Sequence, residues 1–279
     1  MPTFSKERGM TPFNRDGFRR DAVLEILLES EVRLTARAYI REISRELDIS
    51  LGQAKKVLTT LVAEQEVAYQ DLYGSTYVME SFSKPVRVTE RFFILPPGIT
   101  SAAGPRDIDI RITSGISFGS GHHPTTRLCL SAIDTLFSTR ELNGRAGDIG
   151  TGSGILAVAA CLAGMDDCLA WEIDANSVSE AGQNVAANGL DSRITIIDDL
   201  MSPKGLKLSL IMANLRFPTL KQIAPLISQA ALPGGYLILS GIRTWEKDRL
   251  IEHYGELNFS QVWEKDAKNW SVVILNHKR

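Results

Sequence analysis

Long apolar runs are missing from this 279-residue chain. None approaches the roughly 20 residues that span a bilayer, so no membrane segment is expected. The opening Met-Pro-Thr-Phe-Ser-Lys-Glu-Arg lacks the apolar centre of a secretory leader. Cysteine is scarce. Cys129, Cys161 and Cys168 form an odd set without a Cys-x-x-Cys pair, which fits a reducing cytoplasm and speaks against a structural zinc site. Charge imbalance is missing too: a formal net charge of −2 supplies no global attraction to nucleic acid. There is no internal repeat and no low-complexity tract. What remains, 44% hydrophobic and 23% charged residues, describes an ordinary globular protein long enough for two modest domains.

The most informative stretch present is Asp148-Ile-Gly-Thr-Gly-Ser-Gly154, followed eighteen residues later by Glu172 in Ala-Trp-Glu-Ile-Asp. Alternating glycines at a strand-to-helix turn let backbone approach a nucleotide-like ligand without Cβ clashes. An acid at the tip of the next strand accepts both ribose hydroxyls. A dinucleotide fingerprint is GxGxxG. Here the pattern is GxGxG, Ile155 holds the position of the last glycine, and Asp148 sits two residues before the first. A carboxylate there repels a pyrophosphate and suits a cationic ligand such as S-adenosylmethionine. Gly150, Gly152, Gly154 and Glu172 are therefore candidate cofactor residues, with Asp148 expected to hold water or the ligand's ammonium.

Two domains are expected. Residues 1–14 read as a loose arm. Apolar spacing then predicts three helices, with Val23, Leu24 and Leu27 inward on the first, Ile40 and Ile43 on the second, and Val57, Leu58 and Leu61 on the third. Two strand-like runs around Leu72-Tyr73-Gly74-Ser75 follow as a hairpin. This order predicts a winged helix-turn-helix over 15–82. Its third helix would expose Gln53, Lys55, Lys56, Thr59 and Thr60. Residues 1–95 carry 14 Lys and Arg against 14 Asp and Glu, a net of zero, so the basic footprint of a phosphate binder is absent. Protein docking, dimerisation and nucleic-acid steering all remain open for this part.

Residues 83–115 read as a linker with an edge strand at Ile108–Ile112. From 116 to 279 strands and helices alternate, which implies a parallel sheet with right-handed crossovers. Strand-like Phe259–Trp263 and Trp270–Leu275 close it as an antiparallel hairpin. The expected fold class is α/β, a Rossmann-like, mostly parallel seven-stranded class I methyltransferase sheet behind a winged helix. Its first strand, Gly144-Arg145-Ala146-Gly147, is poor in β formers.

Three further features carry chemistry. Asp198-Asp199 follows a strand, and Asp199 is placed to accept from an adenine amino group. Asn214, in Ala213-Asn214-Leu215, ends another strand and can hold an amine through its side-chain carbonyl. Ser117-Phe118-Gly119-Ser120-Gly121-His122-His123-Pro124 is a small flexible loop entering a helix at Pro124, a residue suited to the first helical position. No cysteine or carboxylate stands at metal spacing from the two histidines, so no metal is expected.

That loop, with GTGSGILAVAA, WEIDANSV, NVAANG, MANL and PGGYLILSGI, resembles the ribosomal protein L-eleven methyltransferases (PrmA-like) from about Arg91 onward. The resemblance implies methylation of amino groups of a ribosomal protein from S-adenosylmethionine, leaving S-adenosyl-L-homocysteine. It implies that Phe118, Gly119, Ser120, His123 and Thr126 line the cofactor and substrate mouth, and it matches Asn214 to the family's asparagine. His122 falls where variation is expected. The chain departs from the family in its winged-helix-like N-terminal part, in Ala146-Gly147 and in Ser120.

The expected chemistry is attack of a neutral amine on an activated methyl, with the protein supplying position and desolvation. Asn214 and His123 are the residues expected to act there, and no lone general base stands out. Alternatives remain open at this level: a nucleic-acid methyltransferase, a cofactor-sensing regulator, or small-molecule methylation.

Overall fold

The computed structural model describes residues 20–30, 32–72, 74–101, 104–113, 119, 121–202 and 204–278. The expected N-terminal arm, Tyr73, Phe118 and Ser120 lie outside the described residues. The chain divides between Ser81 and Phe82 into two compact units.

The first unit runs α1 (Arg20–Glu29), α2 (Ala36–Glu46), α3 (Leu51–Ala63), β1 (Val67–Leu72) and β2 (Ser75–Glu80). β1 and β2 pair antiparallel, and Thr35 bridges to Tyr77. Local chemistry sets the helix starts. The Thr35 side chain accepts from the Ala38 amide, and Ser50 with Gln53 forms a reciprocal capping box on α3. Val23, Tyr39, Ile43, Leu58 and Val78 close the core, and the buried Tyr39 hydroxyl donates to the Val23 carbonyl at 2.6 Å. The apolar positions expected to face inward do so at Val23, Leu24, Leu27, Ile43, Leu58 and Leu61.

The second unit begins with three short strands, β3 (Val86–Arg87), β4 (Phe92–Leu95) and β5 (Ile108–Arg111), forming their own sheet in the order β3-β4-β5. The stretch read as a linker thus adds to the core, since Phe92, Ile94, Leu95 and Ile110 are fully buried. Next come α4 (Pro124–Thr139), β6 (Arg145–Ile149), α5 (Ile155–Ala163), β7 (Asp167–Glu172), α6 (Ala175–Ala187) and β8 (Ile194–Asp198). The chain ends with β9 (Leu208–Asn214), α7 (Phe217–Ala230), β10 (Ala231–Arg243), α8 (Lys247–Gly255), β11 (Phe259–Ala267) and β12 (Trp270–His277).

The seven strands order as β11-β12-β10-β9-β6-β7-β8. All neighbours from β10 to β8 are parallel, and β12 and β11 are antiparallel. These are the directions expected of the class I methyltransferase sheet. Both faces are covered, which is why Leu210–Ala213 in β9 reads as an unbroken apolar run. Leu210 and Met212 belong to the core beneath α4 and α5, whereas Leu208, Ile211 and Ala213 belong to the core beneath α7 and α8. The weak composition of β6 has a packing reason. A Cβ on Gly147 would stand 2.8 Å from Leu208 and 3.1 Å from Trp171, so its neighbours' side chains fill the space that a β former would need.

Candidate active site

The sheet runs one way from β6 to β7 and β8 and the other way from β9 to β10. The chain connections therefore diverge above the β6–β9 pair and leave a crevice at the strands' carboxyl ends. A cavity of about 870 Å³ opens there, inside the roughly 300–1,000 Å³ range of small-molecule sites.

Its floor is the glycine turn. Gly150, Gly152 and Gly154 all have positive φ, at 71°, 57° and 82°, a region that side chains disfavour. Gly150 and Gly152 line the cavity. Gly154 does not. It starts α5, and a Cβ there would press on Ala181 at 3.3 Å, so its smallness serves the packing of α5 against α6. The Gly150 and Thr151 amides donate to the Trp171 carbonyl at 2.9 and 3.0 Å.

Asp148 was expected to face water or a ligand ammonium. The structure puts it beneath the turn, 1% exposed and away from the cavity wall. Its Oδ2 accepts from the Thr151 hydroxyl at 2.6 Å and the Ala157 amide at 3.2 Å. Burial pushes its carboxyl up to about 6, against the opposing pull of those two hydrogen bonds. Its Oδ1 is buried and without a hydrogen-bond partner among the described residues.

Glu172 does line the cavity. Its Oε2 accepts from the Gly152 amide at 2.9 Å, and its Oε1 from Ile173 and Asp174 amides at 2.8 and 3.1 Å. The carboxylate is thus pinned at the tip of β7, in contact with the glycine turn. Asp199 stands on the wall beyond β8, with Oδ1 accepting from the Leu200 amide at 2.6 Å. Two apolar neighbours that the sequence reading did not single out flank these acids. Ile173 and Leu200 line the cavity although 67% and 71% exposed, which suits the faces of a flat ring.

Asn214 ends β9 and lines the cavity. Its Oδ1 is buried with no hydrogen-bond partner among the described residues, a state that costs free energy unless a donor arrives. Leu215, the next residue, explains two glycines at once. A Cβ on Gly150 would lie 2.6 Å from the Leu215 side chain, and one on Gly241 would lie 2.3 Å from the Leu215 carbonyl oxygen.

Opposite stand His123 and Trp270. His123 caps α4: its Nδ1 accepts from the Thr125 amide at 3.3 Å and lies 2.7 Å from the Thr125 hydroxyl. With Nδ1 accepting, the neutral ring carries its proton on Nε2. Its ring meets the Trp270 edge at 5.1 Å, and the Arg243 guanidinium lies 3.7 Å over Trp270. Thr125, not the expected Thr126, lines the cavity. Thr126 is 1% exposed, with its hydroxyl unpartnered among the described residues. Thr125 is buried as well, and one helical residue is a turn of 100°, so only Thr125 faces the cavity side of α4. Gly119 has φ 107°, and a Cβ on it would stand 2.6 Å from the Ser153 hydroxyl. Gly119 therefore lies directly on the glycine turn. His122 instead packs against Phe82, with ring centroids 4.2 Å apart and the planes tilted by 41°.

In the first unit, Lys55, Lys56 and Thr59 are exposed on α3. Gln53 is spent on the cap, its Oε1 accepting from the Ser50 amide at 2.9 Å, and the Thr59 hydroxyl donates back to the Lys55 carbonyl at 3.0 Å.

Comparison with known proteins agrees with this geometry. A model of the ribosomal protein L11 methyltransferase (PrmA) family matches residues 17–278, reaching well before Arg91. The ribosomal protein L11 methyltransferase of Geotalea uraniireducens is 32% identical over 203 residues, 70% of this chain, which spans 64% of that relative's length. The Exiguobacterium sibiricum protein of the same name is 32% identical over 252 residues, covering 89% of this chain and 76% of its own. A crystal structure of ribosomal protein L11 methylase from Lactobacillus delbrueckii subsp. bulgaricus superimposes with a TM-score of 0.61 at 26% identity, over 70% of this chain and 99% of that one. Sheet, cavity and sequence agree, and the chain belongs to the ribosomal protein L11 methyltransferase (PrmA) family.

Proposed function

We propose that this protein is an S-adenosylmethionine-dependent methyltransferase acting on amino groups of a protein, a ribosomal protein being the substrate that its relatives' names suggest. The observation that carries the reading is the unpartnered, buried Oδ1 of Asn214 on the wall of a cavity floored by the glycine turn. An amine nitrogen supplies the donor that this oxygen lacks.

The residues present fit the cofactor. Glu172 would hold the ribose hydroxyls, Asp199 the adenine amino group, and Ile173 and Leu200 its faces. Gly119, Gly150 and Gly152 leave backbone room. When bound, S-adenosylmethionine supplies a methyl already activated on a sulfonium. The chain's own residues supply the rest. Asn214 orients the nitrogen lone pair. Trp270 and His123 wall the acceptor's approach and exclude water. Among the described lining residues only His123, Glu172, Asp199 and Arg216 carry titratable groups, and the His123 Nδ1 is committed to Thr125. Deprotonation of the incoming amine therefore relies on desolvation, which lowers an amine's pKa, rather than on a dedicated base. The three helices and hairpin of the first unit have the order of a winged helix, and their balanced charge favours docking a protein.

Calorimetric titration with S-adenosylmethionine, paired with turnover assays on ribosomal protein from the protein's own source, tests this. Wild-type protein should bind the cofactor, Glu172→Gln should weaken binding, and Asn214→Ala should bind normally but turn over poorly. A wild type that does not bind it would overturn the reading.

A further inference from the structure

The segment Asn184-Val-Ala-Ala-Asn188 has no place in the chemistry above, yet it joins the glycine turn to the chain at the end of β5. Asn184 lies in the last turn of α6 and is fully buried. Its Nδ2 donates to the carbonyl of Ser153, in the glycine turn, at 2.8 Å. Its Oδ1 accepts from both the amide and the hydroxyl of Thr113, at 2.9 and 2.8 Å. Four residues on, Asn188 repeats the pattern. Its Oδ1 takes the Arg111 amide at 2.9 Å and its Nδ2 donates to the Arg111 carbonyl at 2.7 Å.

The spacing is geometric. Four helical residues rise about 6 Å, and two extended residues rise about 6.6 Å. Asparagines four apart on α6 therefore meet strand residues two apart, at Arg111 and Thr113. They satisfy backbone groups at and just beyond the end of β5, which pairs only with β4 in its sheet. Asn188 anchors the strand. Asn184 goes further, because its second arm reaches the glycine turn. The same Ser153 presents its hydroxyl where a Cβ on Gly119 would stand. Thr113 precedes the glycine-histidine loop in sequence, and Gly119 lies within that loop. Asn184 thus holds two places at once: the chain at Thr113, just beyond β5, and the turn against which Gly119 lies.

We infer that Asn184 is a positioning residue that couples the Gly150–Gly154 turn, on which Gly119 lies, to the chain at Thr113, and so sets the shape of the cofactor floor. This rests on the functional reading above for its link to the cofactor, while the coupling itself is a property of the free protein.

The test is Asn184→Asp in the full chain, read by amide hydrogen exchange without cofactor. The acid keeps an acceptor for Thr113 but sets a second oxygen against the Ser153 carbonyl. Exchange at Gly150, Thr151 and Gly152 should accelerate about tenfold relative to wild type, the equivalent of one lost hydrogen bond, with α8 unchanged. A buried carboxyl tends to stay protonated at low pH and can then donate, so the effect should shrink at about pH 5 and deepen at about pH 8. Thr113→Val, which removes only a hydroxyl, keeps the fold and should accelerate the same amides by a smaller factor. Affinity for S-adenosylmethionine should fall about tenfold in Asn184→Asp, in step with the exchange. A role in stability alone would lower the melting temperature and speed exchange evenly, α8 included. That result, or turn exchange equal to wild type in both variants, would overturn the inference. If wild-type protein failed to bind the cofactor, the functional reading would fall while exchange still decided the coupling.

Discussion

Replacing Asp148 by Asn should make the protein's stability less dependent on pH. The carboxyl lies wholly buried under the glycine turn, and burial raises it from 3.8 to about 6. A raised folded pKa means that the native state holds the proton more tightly than the unfolded chain. The stabilisation from that proton is complete below about 3.8 and is lost as pH climbs through about 6. A shift of about two pKa units at 1.36 kcal/mol each amounts to about 3 kcal/mol. Asn keeps the side chain's shape. Its carbonyl can accept from Ala157 as Asp148 does now, and its amide can donate to the Thr151 hydroxyl, which need only rotate. Any fixed penalty for these exchanges is the same at every pH. Urea unfolding of both proteins at pH 4, 6 and 8 therefore isolates the titrating part. The stability of Asp148→Asn minus that of wild type should rise by up to about 3 kcal/mol from pH 4 to pH 8. A difference that stays flat, or falls, would refute the placement of an uncompensated acid beneath the turn.

Other substitutions probe the same geometry. Gly241→Ala should cost at least about 2 kcal/mol in denaturant unfolding, because its Cβ would meet the Leu215 backbone at 2.3 Å with φ at 84°; a loss within error of zero would contradict that close approach. Gly119→Ala should weaken cofactor binding through its 2.6 Å collision with the Ser153 hydroxyl, and Ser153→Ala in the same chain should recover part of the loss. Titration of the two variants would show no such recovery if Gly119 did not lie on the turn. Asn214→Ala should lower kcat by more than it raises the cofactor dissociation constant, and equal losses in both would remove Asn214 from the role of amine acceptor.

How much of this was legible in the sequence depends on whether a signal was local. The glycines of the turn announced themselves because their positive φ is a backbone requirement that only glycine meets cheaply. The mostly parallel sheet with an antiparallel end followed from alternating apolar runs and the closing hairpin. Asn214 and Glu172 were readable as polar residues at strand tips. Asp148 was noticed for the right position, but sequence could not say that its side chain turns inward to brace the loop. Thr126 was off by one residue, since the cap made by His123 sets the helix phase. The strand at Ile108–Ile112 was legible from its alternation, but the small sheet it forms with β3 and β4 was not, because strands of two and four residues carry little periodicity. α8 drew no expectation at all. Trp270, Leu200 and Leu215 reach the cavity only through tertiary packing. The glycines at 147 and 241 made sense only after Trp171, Leu208 and Leu215 were in place.

The central claim is methyl transfer from S-adenosylmethionine to a protein amine. Purified protein would be incubated with methyl-labelled S-adenosylmethionine and a lysate of its own source, then divided between nuclease and protease. The account predicts label in discrete protein bands that survive nuclease and vanish with protease, and that are absent with Asn214→Ala. Label lost to nuclease, or confined to small molecules, would contradict it.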